Sequence, residues 1–311
     1  MHIDTPLITS EPLSRIAGAE VWLKLDCLQP TGSFKLRGIS RVCREFVDSG
    51  ATELIAASAG NAGLNVAYAG ARLGVPATVI VPKSTPPMMI AKIEQIGGRV
   101  EVVGDSWDEA NDFALGRADG RKIVCVPAFD HPTIWEGHAS LIDEVAASGL
   151  VPDAIVVSVG GGGLLCGVLQ GLDRAGWGET RVIACETRGA NCLARSLAAG
   201  TLVTLDEIAS IAKSLGALTP APAALERARD HSVAPYVCSD RQALDACLGF
   251  ARDHRLLVEP ACGAALAAVY QKSAELEDCD TVLIIVCGGV GVSLDLLRQW
   301  DLSLPASTPR N

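Results

Sequence analysis

The run Gln29-Pro30-Thr31-Gly32-Ser33-Phe34-Lys35-Leu36-Arg37-Gly38 sets one lysine between a Gly-Ser turn and apolar neighbours. Partial desolvation there would lower the pKa of Lys35 and leave a neutral amine, the form that attacks a carbonyl in Schiff-base chemistry. A solvated surface lysine has the same sequence signature, so the loop alone does not decide. Gly160-Gly161-Gly162-Gly163-Leu164 follows an apolar run and leads into a stretch of helical period. Glycines let backbone approach an anion closely, and the N–H groups and dipole of a helix start favour negative charge, so a phosphate is the natural occupant. The dinucleotide pattern G-x-G-x-x-G fails from Gly160, where Leu165 stands at the last glycine, and from Gly162, where Leu164 stands at the second. A single phosphate fits better than a nucleotide, and a tight strand-to-helix turn without ligand is the other reading of the motif.

Two more loops carry polar chemistry. Ser58-Ala59-Gly60-Asn61-Ala62-Gly63 ends one apolar run and opens a helix. Its N–H groups and serine hydroxyl suit a carboxylate, while Asn61 either caps the helix or donates to a ligand oxygen. Cys287-Gly288-Gly289 ends the strongest β run, at the strand end where ligands of open parallel sheets gather. Taken alone, Cys287 reads first as a small buried hydrophobe.

The elements that must position these loops read as repeated βα units. Short β-branched runs at 53–57, 77–81, 100–103 and 123–126 alternate with helical stretches such as 61–73 and 87–96, and predict one compact subdomain. A second set at 154–159, 181–185, 236–238 and 281–287 runs apolar without alternation, as strands buried on both faces do. Pro220-Ala221-Pro222-Ala223-Ala224 is expected to start a helix, and the tail Pro305–Asn311 to fray.

Composition narrows the classes. The chain has 311 residues, 49% hydrophobic but 4% aromatic, so an α/β interior of Ala, Val, Leu and Ile is expected. A net charge of −10 disfavours a phosphate backbone as partner. The eleven cysteines form no C-x-x-C pair and read as reduced, mostly buried thiols; the five histidines form no zinc motif. No apolar stretch is long enough to span a bilayer and no leader pattern opens the chain, so a cytoplasmic protein is expected, with no membrane or nucleic-acid partner.

Together, the lysine loop, the S-x-G-N loop, the tetraglycine and the Cys-Gly-Gly resemble, in order and spacing, the fold-type-II pyridoxal-phosphate enzymes, and among them the serine/threonine ammonia-lyase (L-serine dehydratase) family. The resemblance runs from Thr5-Pro6 to about Trp300, including Ile134-Trp135-Glu136-Gly137-His138-Ala139-Ser140 and Leu257-Val258-Glu259-Pro260-Ala261-Cys262-Gly263-Ala264-Ala265. It implies two open, twisted, mostly parallel sheets flanked by helices: a large domain of 1–41 plus 133–311, and a small one, 42–132, inserted in it. It further implies that Lys35 carries pyridoxal 5'-phosphate covalently and later takes the substrate's α-proton, that Phe34 packs on the pyridine ring, and that Asn61 bonds the phenolic oxygen. Gly160, Gly161, Gly162, Gly163 and Leu164 would hold the phosphate, Cys287 would meet the ring nitrogen, and Ser58, Ala59, Gly60 and Asn61 would take the substrate carboxylate.

The activity so implied is β-elimination of L-serine to pyruvate and ammonia, and of L-threonine to 2-oxobutanoate, by a homodimer. A monovalent cation, potassium, is expected at Glu186 with the carbonyls of Ala190 and Leu215, although Glu186 as an ordinary surface or helix-capping acid reads nearly as well. Racemases of this fold carry a serine where Ala59 stands, so racemisation should be poor, and no room remains after Cys287 for an isoleucine-sensing domain. The alternatives are a β-replacement enzyme such as cysteine synthase, a silent pyridoxal-phosphate-binding protein, and a nucleotide-binding oxidoreductase, which the failed fingerprint disfavours.

Overall fold

The computed structural model describes residues 1–305. The tail expected to fray lies, beyond Pro305, outside the described residues. In chain order the strands are β1 (Leu7–Thr9), β2 (Glu20–Lys24), β3 (Glu53–Ala56), β4 (Ala77–Val81), β5 (Arg99–Val102), β6 (Ile123–Cys125), β7 (Ala154–Ser158), β8 (Arg181–Thr187), β9 (Val233–Cys238) and β10 (Thr281–Ile285). The α-helices are α1 (Glu11–Ala17), α2 (Lys35–Asp48), α3 (Asn61–Leu73), α4 (Pro87–Gln95), α5 (Trp107–Arg117), α6 (Pro132–Ala147), α7 (Gly163–Ala175), α8 (Cys192–Ala199), α9 (Pro222–Asp230), α10 (Asp240–His254), α11 (Pro260–Tyr270) and α12 (Leu294–Ser303). Two compact units result. The smaller holds Met1–Ile3 and Gln29–His138, and the larger Asp4–Leu28 and the chain from Ala139 onward.

The smaller unit is built on a parallel sheet of order β5-β4-β3-β6. Its β4, Ala-Thr-Val-Ile-Val, is buried along its whole length, as a β-branched run must be when both sheet faces are covered. Ile39 and Val42 of α2 pack with Leu54, Val66 and Ile134 in its core. Glycine lets α2 approach α6: a Cβ on Gly38 would fall 2.5 Å from the Ile134 carbonyl oxygen, and one on Gly137 2.5 Å from that of Arg37. This crossing groups residues 29–41 and 133–138 with the smaller sheet, whereas the sequence reading set the domain crossings at 42 and 133.

The larger unit carries a six-stranded sheet, β1-β2-β10-β7-β8-β9, parallel throughout except where β1 meets β2. Its central strand β7 is fully buried and runs into the tetraglycine; β10 runs into Cys287. All eight expected strands form. The start of β9 lies three residues earlier than expected, at Val233, because Pro235 sits on a sheet edge, where a missing N–H costs least. Strands β1 and β2 had no counterpart in the sequence reading. Lys24 hides β2: it interrupts the apolar pattern yet is buried, with Nζ donating to the Thr5 carbonyl at 2.7 Å and paired with Glu144. Among the described residues no helix is long and apolar enough to cross a membrane.

Candidate active site

Lys35 is the first residue of α2, behind a turn in which the Gly32 N–H donates to the Gln29 carbonyl at 2.7 Å. Its side chain is half-buried, and Nζ donates to the Ala128 carbonyl at 3.0 Å and stands 5.4 Å from the Phe34 ring centroid. His138 of α6 packs against the same ring, its ring centroid 4.9 Å from that of Phe34. His138 is buried, and its Nδ1 has no hydrogen-bond partner. Burial first, then the positive charges of Lys35 and Arg37, hold its pKa well below the ordinary histidine value, so the imidazole is neutral.

The second loop is tied to the first by a residue that sequence reasoning missed. Asn65 Oδ1 accepts from Thr31 Oγ1 at 2.6 Å, and Asn65 Nδ2 donates to the Asn61 carbonyl at 2.6 Å and to Ser33 Oγ at 3.3 Å. One buried amide therefore joins the lysine turn to the start of α3. Asn65 lies one helical turn after Asn61, and that spacing was the available signal. Gly60, not Asn61, is the N-cap residue of α3, and as a glycine it has no side chain with which to cap the helix. The Ser58 hydroxyl accepts from the Gly60 N–H at 3.4 Å, and a Cβ on Gly63 would fall 1.9 Å from the Ser58 carbonyl oxygen. On the preceding residue, the Ala57 carbonyl accepts from Trp107 Nε1 at 2.7 Å. No sequence motif pointed to Trp107.

In the larger unit the tetraglycine makes the turn from β7 to α7. Gly162 has φ +91°, a left-handed conformation that favours glycine, and a Cβ there would sit 2.4 Å from Ala224 Cβ. A Cβ on Gly160 would lie 3.0 Å from Leu215 Cα, so Leu215 flanks the loop. The N-cap residue of α7 is Gly162, which has no side chain to cap with, and Leu164 is buried in the first turn. The Ser158 hydroxyl, two residues before Gly160, is buried without a hydrogen-bond partner. A helix start with glycine at its N-cap, a glycine cradle and an orphaned hydroxyl fit a phosphate group.

Glu186, at the end of β8, is fully buried and caps α8, its Oε1 accepting from the Leu193 N–H at 2.9 Å and Oε2 from the Ala194 N–H at 2.7 Å. Burial pushes its pKa up to about 7 against the pull of those two amides. Ala190, also buried, bridges back to Thr187. Among the described residues no group of three or more His, Cys, Asp or Glu gathers as a metal site. The cysteines are all free, and all but Cys27 and Cys125 are buried. Cys287 follows β10 and is almost completely buried.

The family described as "Pyridoxal-phosphate dependent enzyme" matches residues 1–288. A protein of Homo sapiens named "L-serine dehydratase/L-threonine deaminase" is 46% identical over 308 residues, covering 96% of this chain and 94% of that one. Another Homo sapiens protein, "Serine dehydratase-like", is 45% identical over 303 residues, with 94% and 92% covered. The crystal structure of a fungal L-serine ammonia-lyase from Rhizomucor miehei aligns with a TM-score of 0.92 and 35% identity over 97% of this chain and 98% of that one.

Proposed function

The chain belongs to the pyridoxal-phosphate dependent enzyme family, and from that premise we propose that it removes water from L-serine, giving pyruvate and ammonia, and acts likewise on L-threonine to give 2-oxobutanoate. The observation that carries the assignment of roles is the Lys35 amine, held in the first turn of α2 by the Ala128 carbonyl and beside an aromatic ring. When bound, pyridoxal phosphate supplies an electron sink that weakens the substrate's Cα–H bond. Lys35 would hold the cofactor, and its amine, when free, would be the base that accepts the substrate's α-proton. Phe34, its ring backed by His138, presents an apolar face to the pyridine.

At the start of α3 the Ser58 hydroxyl and the backbone of Ala59, Gly60 and Asn61 receive the substrate carboxylate, with the Asn61 amide toward the phenolic oxygen. Support comes from glycine at the N-cap of that helix, which lets a ligand approach the backbone N–H groups of the first turn. Gly160–Gly163 and Leu164 take the phosphate, and Cys287 the ring nitrogen. A neutral thiol at that nitrogen leaves the ring a weaker sink than a carboxylate would, which suits elimination. Ala59 offers no acid or base of its own, which favours elimination over racemisation. Glu186 with the Ala190 and Leu215 carbonyls is the proposed potassium site: a buried carboxylate is the donor a hard cation takes. We also infer a homodimer in the cytoplasm, on the family resemblance.

The test is pyruvate release from L-serine by cofactor-loaded protein, with Lys35→Ala alongside. Loss of a covalent base should lower turnover at least about a hundred- to ten-thousandfold. A Lys35→Ala protein near wild-type rate, or a wild type that binds cofactor and releases no pyruvate, overturns the reading.

A further inference from the structure

Three successive carbonyls of the tetraglycine are tied down within the larger unit. Cys192, the first residue of α8, donates its S–H to the Gly160 carbonyl at 3.7 Å. The Ala221 N–H donates to the Gly161 carbonyl at 2.9 Å, and the Cys166 N–H of α7 to the Gly162 carbonyl at 2.9 Å. Cys192 is itself fully buried and held in place. Glu186 accepts from the two amides that follow it, Leu193 and Ala194, and the Cys192 carbonyl accepts from Ser196 Oγ at 2.7 Å.

In a planar trans peptide the C=O and the N–H of the next residue point in opposite directions. A carbonyl held on one side therefore aims the following N–H at the other. Gly160, held by Cys192, aims the N–H of Gly161; Gly161, held by Ala221, aims that of Gly162; Gly162, held by α7, aims that of Gly163. Successive N–H groups turned one way at a helix start are what an anion needs. The glycines that permit this also make it insecure. With no Cβ on either side of the Gly160–Gly161 peptide, its plane turns easily, and a half turn would present a carbonyl oxygen where the N–H had been. Backbone amides hold the next two planes. The Gly160–Gly161 plane is held by a side chain, whose thiol is the donor because a carbonyl has no proton to give.

We propose that Cys192 is a positioning residue for the cofactor's phosphate: by holding the Gly160 carbonyl away from the anion, it aims the Gly161 N–H at it. This rests on the assignment of the phosphate to Gly160–Gly163 and Leu164.

The experiment compares binding of pyridoxal phosphate and of pyridoxal, which lacks the phosphate, to wild type, Cys192→Ala, Cys192→Ser and Gly162→Ala at one fixed potassium concentration, with the 31P resonance of the bound phosphate recorded alongside. Cys192→Ala should raise the Kd for pyridoxal phosphate by roughly two- to tenfold, the equivalent of one neutral hydrogen bond, move the 31P resonance and leave the Kd for pyridoxal unchanged. Cys192→Ser, which keeps a donor, should restore affinity and resonance. If Cys192→Ala does not fold, Cys192→Val serves as the variant without a donor. Equal weakening of both ligands, or a resonance and affinity untouched by loss of the thiol, overturns the proposal. Gly162→Ala meets a left-handed φ and the Ala224 side chain, so it disturbs the loop itself, and Gly160→Ala, crowded by Leu215, replaces it if it does not fold. A preference for pyridoxal phosphate over pyridoxal that survives this change overturns the placement of the phosphate, and the role of Cys192 with it.

Discussion

The ring of His138 lies 4.9 Å from that of Phe34, tilted by 57°, so a buried imidazole forms the rear wall of the aromatic residue next to Lys35. Because burial and the nearby cations hold this imidazole neutral, folding is linked to pH. The folded-state pKa is below 6.5 and the unfolded chain's is near it, so below 6.5 the unfolded state binds a proton that the folded state refuses. The stabilising effect of neutrality is complete above 6.5 and is lost as pH falls, by up to about 1.4 kcal/mol per pH unit. Urea unfolding at about pH 7.5 and about pH 5.5 should show this loss in the wild type and a smaller one in His138→Gln. Equal losses in the two proteins would mean that other groups carry the acid sensitivity.

Asn65 satisfies three groups at once, and none of its partners is an ordinary helix neighbour except the Asn61 carbonyl. Asn65→Ala would leave the buried Thr31 hydroxyl and the Ser33 hydroxyl short of a partner, at a cost of about 1–3 kcal/mol. The same change unties the lysine turn from the substrate loop, so KM for L-serine should rise together with the fall in unfolding free energy. Asn65→Asp, which keeps the acceptor for Thr31 but not the donor for Asn61, should recover part of the stability and little of the KM. A KM unmoved by either change would show that the network holds the fold and not the substrate.

Much of this fold was legible because parallel strands buried on both faces are written as apolar runs. Ala154–Ser158 and Thr281–Ile285 could be placed from their residues alone, and with them the loops that follow. What stayed hidden depends on partners distant in sequence. Lys24 reads as a surface charge until Glu144 and the Thr5 carbonyl are placed beside it. Trp107 opens an unremarkable helix, and its bond to Ala57 spans fifty residues. That Gly60 and not Asn61 occupies the N-cap position needed the backbone, since which residue caps a helix is a matter of dihedral angles.

Trp107 offers a gentler perturbation of the same substrate loop. Its indole is more than half exposed, yet its N–H is spent on the carbonyl that precedes Ser58. Trp107→Phe keeps an aromatic ring and deletes the donor, removing one neutral hydrogen bond of about 0.5–1.5 kcal/mol. If the loop positions the substrate carboxylate as proposed, KM for L-serine should increase by roughly two- to tenfold with kcat little changed. Trp107→His, with a ring N–H, should recover part of the difference. A fall in kcat at constant KM would place the residue's influence on Lys35 instead.

Glu186 presents the sharpest choice between a structural and a functional carboxylate. Both oxygens accept an amide of α8, so the capping role is certain to contribute to stability whether or not a cation binds. Glu186→Gln can accept through one atom only and would set its own NH2 against the other amide, leaving a buried donor unsatisfied at about 1–3 kcal/mol. That loss is expected in any salt. If potassium also binds the carboxylate, the wild type gains thermal stability and turnover when sodium is replaced by potassium at constant ionic strength. Glu186→Gln should gain neither, since the charge that a hard cation seeks is gone. An equal response of both proteins to potassium would leave Glu186 as a helix cap and remove Ala190 and Leu215 from the candidate site with it.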